Sequence, residues 1–416
     1  MAIYSALCII FFAIGLISFV NQPRSFRVFV YCLALFPTSF AFGSMVVRGN
    51  FFYFESFFIA CALAFILNQL RISLPDRKSY ILFASGVLFL FLSAVYSAIF
   101  TDYFESISSF IDFRLILLFF EITILYSLSV RGVGFSFDEL TKVAIVGAIS
   151  CLVWWTFNYM GAMTYGDQYY DEGNRYRYKQ VGTDLAAIYP ILLIYVSGKL
   201  GFKFKKIHAI GVVLSLLALA ASGSRMLIFC TIASMLLAIK GPRQRLFFFA
   251  ALVLCIPLIA LISSETFSTG GAGAFALNGA ASDFDMRLTP AQDYLRDIGV
   301  AELLFGNGFG AYFTIPWFEY RNLRPDLGIV DSIHVSMFVK FGCVYLFLLF
   351  TYLYVILKNL PARLKICLSL YFITMGFTVA FFYRPGFILV SAGLIAYGIS
   401  LKITGSGHNG AVKLVR

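Results

Sequence analysis

Charge is scarce in this sequence. Lysine, arginine, aspartate and glutamate make up 13% of 416 residues, whereas 60% of the residues are apolar. A soluble domain carries about twice that share of charge, so an ordinary water-soluble globule is excluded. Histidine is scarcer still, with three residues in the whole chain. The eight cysteines (Cys8, Cys32, Cys61, Cys151, Cys230, Cys255, Cys343 and Cys367) lie in or beside apolar runs, and none stands at metal-ligand spacing from another. They read as small core-packing residues, with no zinc site and no disulfide framework. Alternation of apolar with polar residues is missing, which excludes a transmembrane barrel. The first apolar run has no basic flank before it and no small-residue cleavage site, so it is expected to be a retained helix and not a signal peptide. The formal net charge of +11 lies mostly in short connections. A nucleic-acid partner would call for a basic face on a soluble domain, so none is expected.

What is present is a series of apolar runs, most about 15 to 22 residues long, the length a bilayer core requires of a helix. About thirteen runs satisfy the hydropathy criterion. They centre near Ile10, Leu35, Cys61, Leu90, Phe120, Cys151, Leu192, Leu216, Ser234, Leu254, Leu346, Thr374 and Ile395. The expected fold class is all-α: a polytopic membrane protein with about 12–14 transmembrane helices and a large, partly helical extracytoplasmic loop. Clusters such as Arg77 with Lys78, Lys203 with Lys205 and Lys206, and Lys358 with Arg363 and Lys365 each follow an odd-numbered run. By the positive-inside rule they face the cytoplasm. The organisation expected is N-terminal spans over 1–163, a first outer loop over 164–184, and further spans over 185–263. A large outer loop over 264–331, C-terminal spans over 332–404 and a cytoplasmic tail over 405–416 complete it.

The outer segments carry few cations, and these are concentrated. Arg175, Arg177 and Lys179 alternate with Tyr176 and Tyr178 just before a span; Arg225 closes the turn SGSR; Arg287 lies in the large loop. One reading is a solvated surface of mixed charge. The other is convergence on an anion at headgroup depth, where a lipid-linked pyrophosphate matches the forks of arginine and tyrosine faces suit sugar rings. An arginine beginning a helix at the membrane edge is costly without a partner. Within the large loop, Leu288, Leu295 and Ile298 recur at near-helical spacing ahead of Gly306, Gly308 and Gly310. That pattern predicts a short amphipathic helix on the outer face.

His334 is the one histidine expected on that face, in the first turn of a span after Asp331 and Ser332, either of which can cap the helix. A neutral imidazole there can take a proton from a sugar hydroxyl. The plain alternative is an interfacial histidine satisfied by a backbone carbonyl. Lys340, two turns into the same span, reads as snorkelling or internally paired. Glu121 and Arg114 read as a structural tie within one span, and Asp283 and Asp285 lack the surroundings of a glycosidase pair.

The order of these features resembles the O-antigen polymerase and O-antigen ligase superfamily. A cationic outer loop is followed by SGSR between two spans. A long loop then carries MRLTPAQDYL and LFGNGFGAYF, and His334 enters a helix with Phe341 and Gly342 further on. The resemblance covers the chain from about Asn174 onward. It implies a metal-independent glycosyltransferase, without cofactor, in the bacterial inner membrane. The donor would be an undecaprenyl-pyrophosphate-linked glycan and the site periplasmic. It assigns His334 to the acceptor hydroxyl, and Arg175 or Arg177, Arg225 and Arg287 to the pyrophosphate, with Tyr176, Tyr178 and Lys179 beside the glycan. It implies the bilayer, a chain-length regulator and a flippase as partners. Ligases of the family commonly have asparagine after the histidine, and Val335 stands there, which favours a polymerase of O-antigen, capsule or exopolysaccharide. A ligase acting on lipid A core is the alternative. A polysaccharide flippase or transporter is the second, since transporters also have about a dozen spans.

Overall fold

The computed structural model describes most of residues 2–19, 76–128, 136–160, 181–198, 202–222, 225–250, 292–314 and 332–376, with isolated residues elsewhere. These residues are helical almost throughout. The helices are α1 (Ala2–Phe19), α2 (Arg77–Phe100), α3 (Ile107–Leu128), α4 (Phe137–Tyr159), α5 (Val181–Ser197) and α6 (Lys206–Ala221). They continue with α7 (Arg225–Ala238), α8 (Val300–Phe305), α9 (Ile333–Leu357) and α10 (Ala362–Gly376). Nine of the expected runs fall on these helices. Those centred near Leu35, Cys61, Leu254 and Ile395 lie largely outside the described residues. The all-α expectation holds among the described residues, which add one two-residue ladder. Residues Phe313–Thr314 and Asp326–Leu327, β1 and β2, pair antiparallel in the large loop, with Phe313 opposite Leu327. Backbone that leaves a helix must find partners elsewhere, and a short ladder supplies them.

Among the described residues, three helical stretches are long and apolar enough by length and composition alone to cross a membrane: Arg77–Phe100, Phe137–Phe157 and Ile333–Leu357, the last of which is broken at Gly342. α2 shows why a soluble fold does not suit it. Ile81, Leu88, Phe91, Leu92, Val95, Ile99 and Phe100 all stand exposed, while Gly86, Leu90, Ala94 and Ser97 face inward. A helix apolar on both faces belongs in lipid.

The helices gather into two layers. In one, α2, α3 and the later part of α9 pack together. Phe89 stacks on Tyr345 at 5.9 Å, Phe119 meets Tyr352 at 5.3 Å, and the Thr123 and Tyr352 hydroxyls are 2.5 Å apart. In the other, α4 and α5 run antiparallel, since Cys151 meets Thr183 and Tyr189 donates to Thr141. α6 packs on both, and α7 pairs with α10.

These contacts define two ends of the bundle. At one end, Asp138 binds Lys205 and His208, and Arg27 binds Glu139. Gln244 Nε2 donates to the Ile194 carbonyl at the foot of α5. Arg363 donates to the carbonyls of Leu237 and Ile239, and Lys365 to that of Lys358. Lys358 in turn lies within electrostatic range of Asp76, which caps α2. The basic clusters at Arg77, Lys205, Arg363 and Lys365 therefore share one end, as the charge pattern predicts for a bilayer.

Candidate functional site

At the opposite end, α9 begins against the end of α10. Ser332 Oγ caps α9 by accepting from Val335 N and donates to the Gly376 carbonyl at 3.2 Å. His334 Nε2 lies 3.2 Å from the Ile373 carbonyl. That carbonyl lies in the C-terminal part of α10 as described, and the imidazole faces it. A carbonyl only accepts, so Nε2 carries the proton and Nδ1 is the nitrogen with a lone pair. Gly376 makes room for the ring: a Cβ there would come within 2.8 Å of His334 Cε1. The plain alternative for His334, a backbone-carbonyl bond, is thus met through Nε2.

α9 is not one continuous helix. Gly342 has φ 66° and ψ −173°, and the chain turns back on itself there. The His334 and Phe350 rings are sixteen residues apart in sequence yet 6.1 Å apart in space, where a straight helix would separate them by about 24 Å. The two arms, 333–341 and 343–357, are about 14 and 22 Å long. Neither arm crosses a hydrocarbon core of about 30 Å alone. The first arm reaches from α10 in one layer to α3 in the other.

A break in a helix at membrane depth leaves carbonyls that protein must satisfy. Here the glycine-rich loop does so. Asn307 N donates to the Val339 carbonyl at 2.9 Å and Gly308 N to the Lys340 carbonyl at 2.7 Å. Gly306, Gly308 and Gly310 all have positive φ, which glycine adopts without a Cβ penalty. Phe309 is fully buried between Phe113 and Phe341, at 5.2 and 5.3 Å. α8 precedes this loop and exposes Val300, Leu303, Leu304 and Phe305. Of the amphipathic helix expected over Leu288, Leu295 and Ile298, residues 294–296 are helical and Ile298 is not, and Leu288 lies outside the described residues.

Beneath the break, Lys340 Nζ lies 2.7 Å from both Asp112 oxygens, and Gly310 N donates to Asp112 Oδ2 at 2.8 Å. Both side chains have no exposed surface. Lys340 is therefore the internally paired lysine, with a partner on α3 that sequence reasoning missed. The signal was available: Asp112 is a carboxylate inside ISSFIDFRLILLFFEITILYSL, and intramembrane acids are rare enough to need a partner. Glu121, 2% exposed, lies farther along α3.

Of the other expected site residues, Arg225 is the first residue of α7. Ser234 Oγ donates to the Cys367 carbonyl across the antiparallel α7–α10 pair. Nine residues from that contact in each helix stand Arg225 and Gly376, so Arg225 begins α7 at the end of the pair where Gly376 lies. Arg175, Tyr176, Arg177, Tyr178, Lys179 and Arg287 lie outside the described residues, as does the side chain of Arg225. α5 starts at Val181, and Asp184 in its first turn lies within electrostatic range of Tyr371 on α10. α5 thus starts at the His334 end of the bundle. His208, by contrast, is buried at the basic end, ringed by Phe137, Phe202 and Phe204 at 5.2 to 5.6 Å. It is fully engaged there, with Nδ1 accepting from Lys205 N and Nε2 facing Asp138.

Among families of known sequence, one described as a family of unknown function, DUF6369, matches residues 135–404. No curated protein and no solved structure matches the chain. The match covers about two thirds of the sequence, from α4 through α10, and the chain belongs to this family.

Proposed function

We propose that this family member is a multi-pass inner-membrane polymerase. It would join undecaprenyl-pyrophosphate-linked oligosaccharide units at the outer face, making O-antigen, capsule or exopolysaccharide. The observation that carries the reading is the place of His334. It sits at the junction of the two helix layers, at the end opposite the basic clusters, the end at which α7 begins with Arg225. In the proposed step, Nδ1 of His334 takes the proton of the acceptor hydroxyl and that oxygen bonds to the anomeric carbon. The bond from that carbon to the pyrophosphate oxygen breaks, and undecaprenyl pyrophosphate leaves with the electron pair. Arg175 or Arg177, Arg225 and Arg287 offset the developing charge, and the loops hold the acceptor in line. Tyr176, Tyr178 and Lys179 hold the glycan. A single displacement inverts the anomeric centre.

The test is reconstitution of the purified protein with lipid-linked repeat units and no energy source. Elongated glycan on the isoprenoid pyrophosphate is expected, while glycan on added lipid A core would mark a ligase. His334→Ala should abolish elongation, a loss of at least about a hundredfold for a removed base. His334→Gln, which can still donate to the Ile373 carbonyl, should keep the fold but not the activity. Full turnover in His334→Gln would end the proposal.

A second reading has its own support. A broken helix and a buried ion pair at membrane depth are features of transporters. Movement of the lipid-linked glycan across the vesicle without elongation would favour a flippase.

A further inference from the structure

We propose that Asp112 and Lys340 are positioning residues. Through the Gly310 amide, their buried pair clamps the glycine loop onto the break in α9 and so holds the short arm that carries His334. Both charges are fully buried, and a buried pair of this kind is often no more stabilising than apolar residues of the same volume. Stability alone is therefore a weak account of it. The geometry offers a better one. One Asp112 oxygen accepts from Lys340, and the other accepts from both Lys340 and Gly310 N. A single carboxylate on α3 thereby ties the loop to the first arm of α9. The arm needs such a tie. It is nine residues long, held at its start by Ser332 and His334 against α10 and at its end by the loop amides on Val339 and Lys340. Loop and arm also interlock sterically. A Cβ on Gly306 would run into the Lys340 backbone, and one on Gly342 would run into that of Leu304.

The clamp itself follows from these contacts. Its effect on turnover rests on the glycan-transfer reading above. Two double variants of the full-length protein in lipid nanodiscs separate loop anchoring from charge. Asp112→Asn with Lys340→Met removes both charges but keeps an acceptor oxygen for Gly310 N. Asp112→Leu with Lys340→Met removes the acceptor as well. Hydrogen exchange of the 302–312 segment should stay as slow as in the parent in the first variant. It should accelerate about tenfold or more in the second, as expected for a lost amide acceptor. With lipid-linked glycan as substrate, kcat should follow the same order, falling about a hundredfold in the second variant with a smaller change in KM. Lys340→Met alone, which strands a buried carboxylate, should lower Tm by roughly several degrees relative to either double variant.

Equal exchange in the two double variants would overturn the clamp. Should the leucine variant fail to fold, fast exchange in a folded asparagine variant would overturn it equally. Accelerated exchange with kcat unchanged would overturn the positioning role. Absence of transfer by the parent protein would instead end the glycan-transfer reading, and the exchange rates would still decide the clamp.

Discussion

Replacing Gly342 by alanine should destabilise the protein out of proportion to the one methyl group added. Two costs act together. The backbone at φ 66° and ψ −173° lies in a region that only glycine occupies readily, and holding a side chain there costs about 1–3 kcal/mol. The new Cβ would also come within 2.6 Å of Phe305 N and closer still to the Leu304 carbonyl. Those are backbone atoms, so α8 and the loop behind it must shift, at about 1–3 kcal/mol for such overpacking. Against this, alanine restricts the unfolded chain, which offsets about 0.4–1 kcal/mol. The net expectation is a loss of about 1–5 kcal/mol. The assay is thermal unfolding in nanodiscs, paired with Gly241→Ala as control. A Cβ on Gly241 meets nothing within 4 Å, so the control should stay within about 0.5 kcal/mol of the parent. Gly306→Ala strains the same loop–arm contact, so combining it with Gly342→Ala should cost less than the two separate losses added. A Gly342→Ala protein as stable as the Gly241→Ala control would refute the broken helix.

Three further outcomes follow from single contacts. Asp76 accepts from Ser79 Oγ at 2.7 Å and Ser79 N at 2.8 Å, which holds its carboxyl below the ordinary value of 3.8. Its capping contribution is therefore present above pH 3.8 and lost as pH falls through the lower folded value. The Tm gap between parent and Asp76→Ala should be open at about pH 7 and narrow as pH falls below 3.8. Arg363 donates to two carbonyls at the end of α7. Arg363→Ala should cost about 1–2 kcal/mol, and Arg363→Lys should recover only part of that in thermal unfolding, because an ammonium cannot reproduce the fork. Tyr352→Phe removes one partner of the Thr123–Tyr352 contact between α3 and α9. Thr123 keeps its bond to the Phe119 carbonyl, so the loss should stay near about 1 kcal/mol by the same measurement.

Several of these features could be read along the chain. Apolar runs located α1 through α7 and α9 and α10, because the bilayer length rule and backbone satisfaction act on continuous segments. The sorting of basic residues to one end was equally legible, since it depends only on which connections carry them. That Lys340 would snorkel or be paired internally followed from an ammonium inside an apolar run. Its partner did not, because Asp112 is 228 residues away and nothing local selects it over Glu121.

Hydropathy by itself determined that this chain is a set of apolar helices with one basic end. Only the tertiary structure decided that α9 is two arms instead of one span. Phe341-Gly342 is an unremarkable pair within an apolar run, and its glycine turns the helix only because the loop at 306–310 is there to receive the open carbonyls. Local pattern reports what each segment can bury. Which distant amide meets which carbonyl is set by packing in three dimensions, and that meeting is what places His334 between the layers.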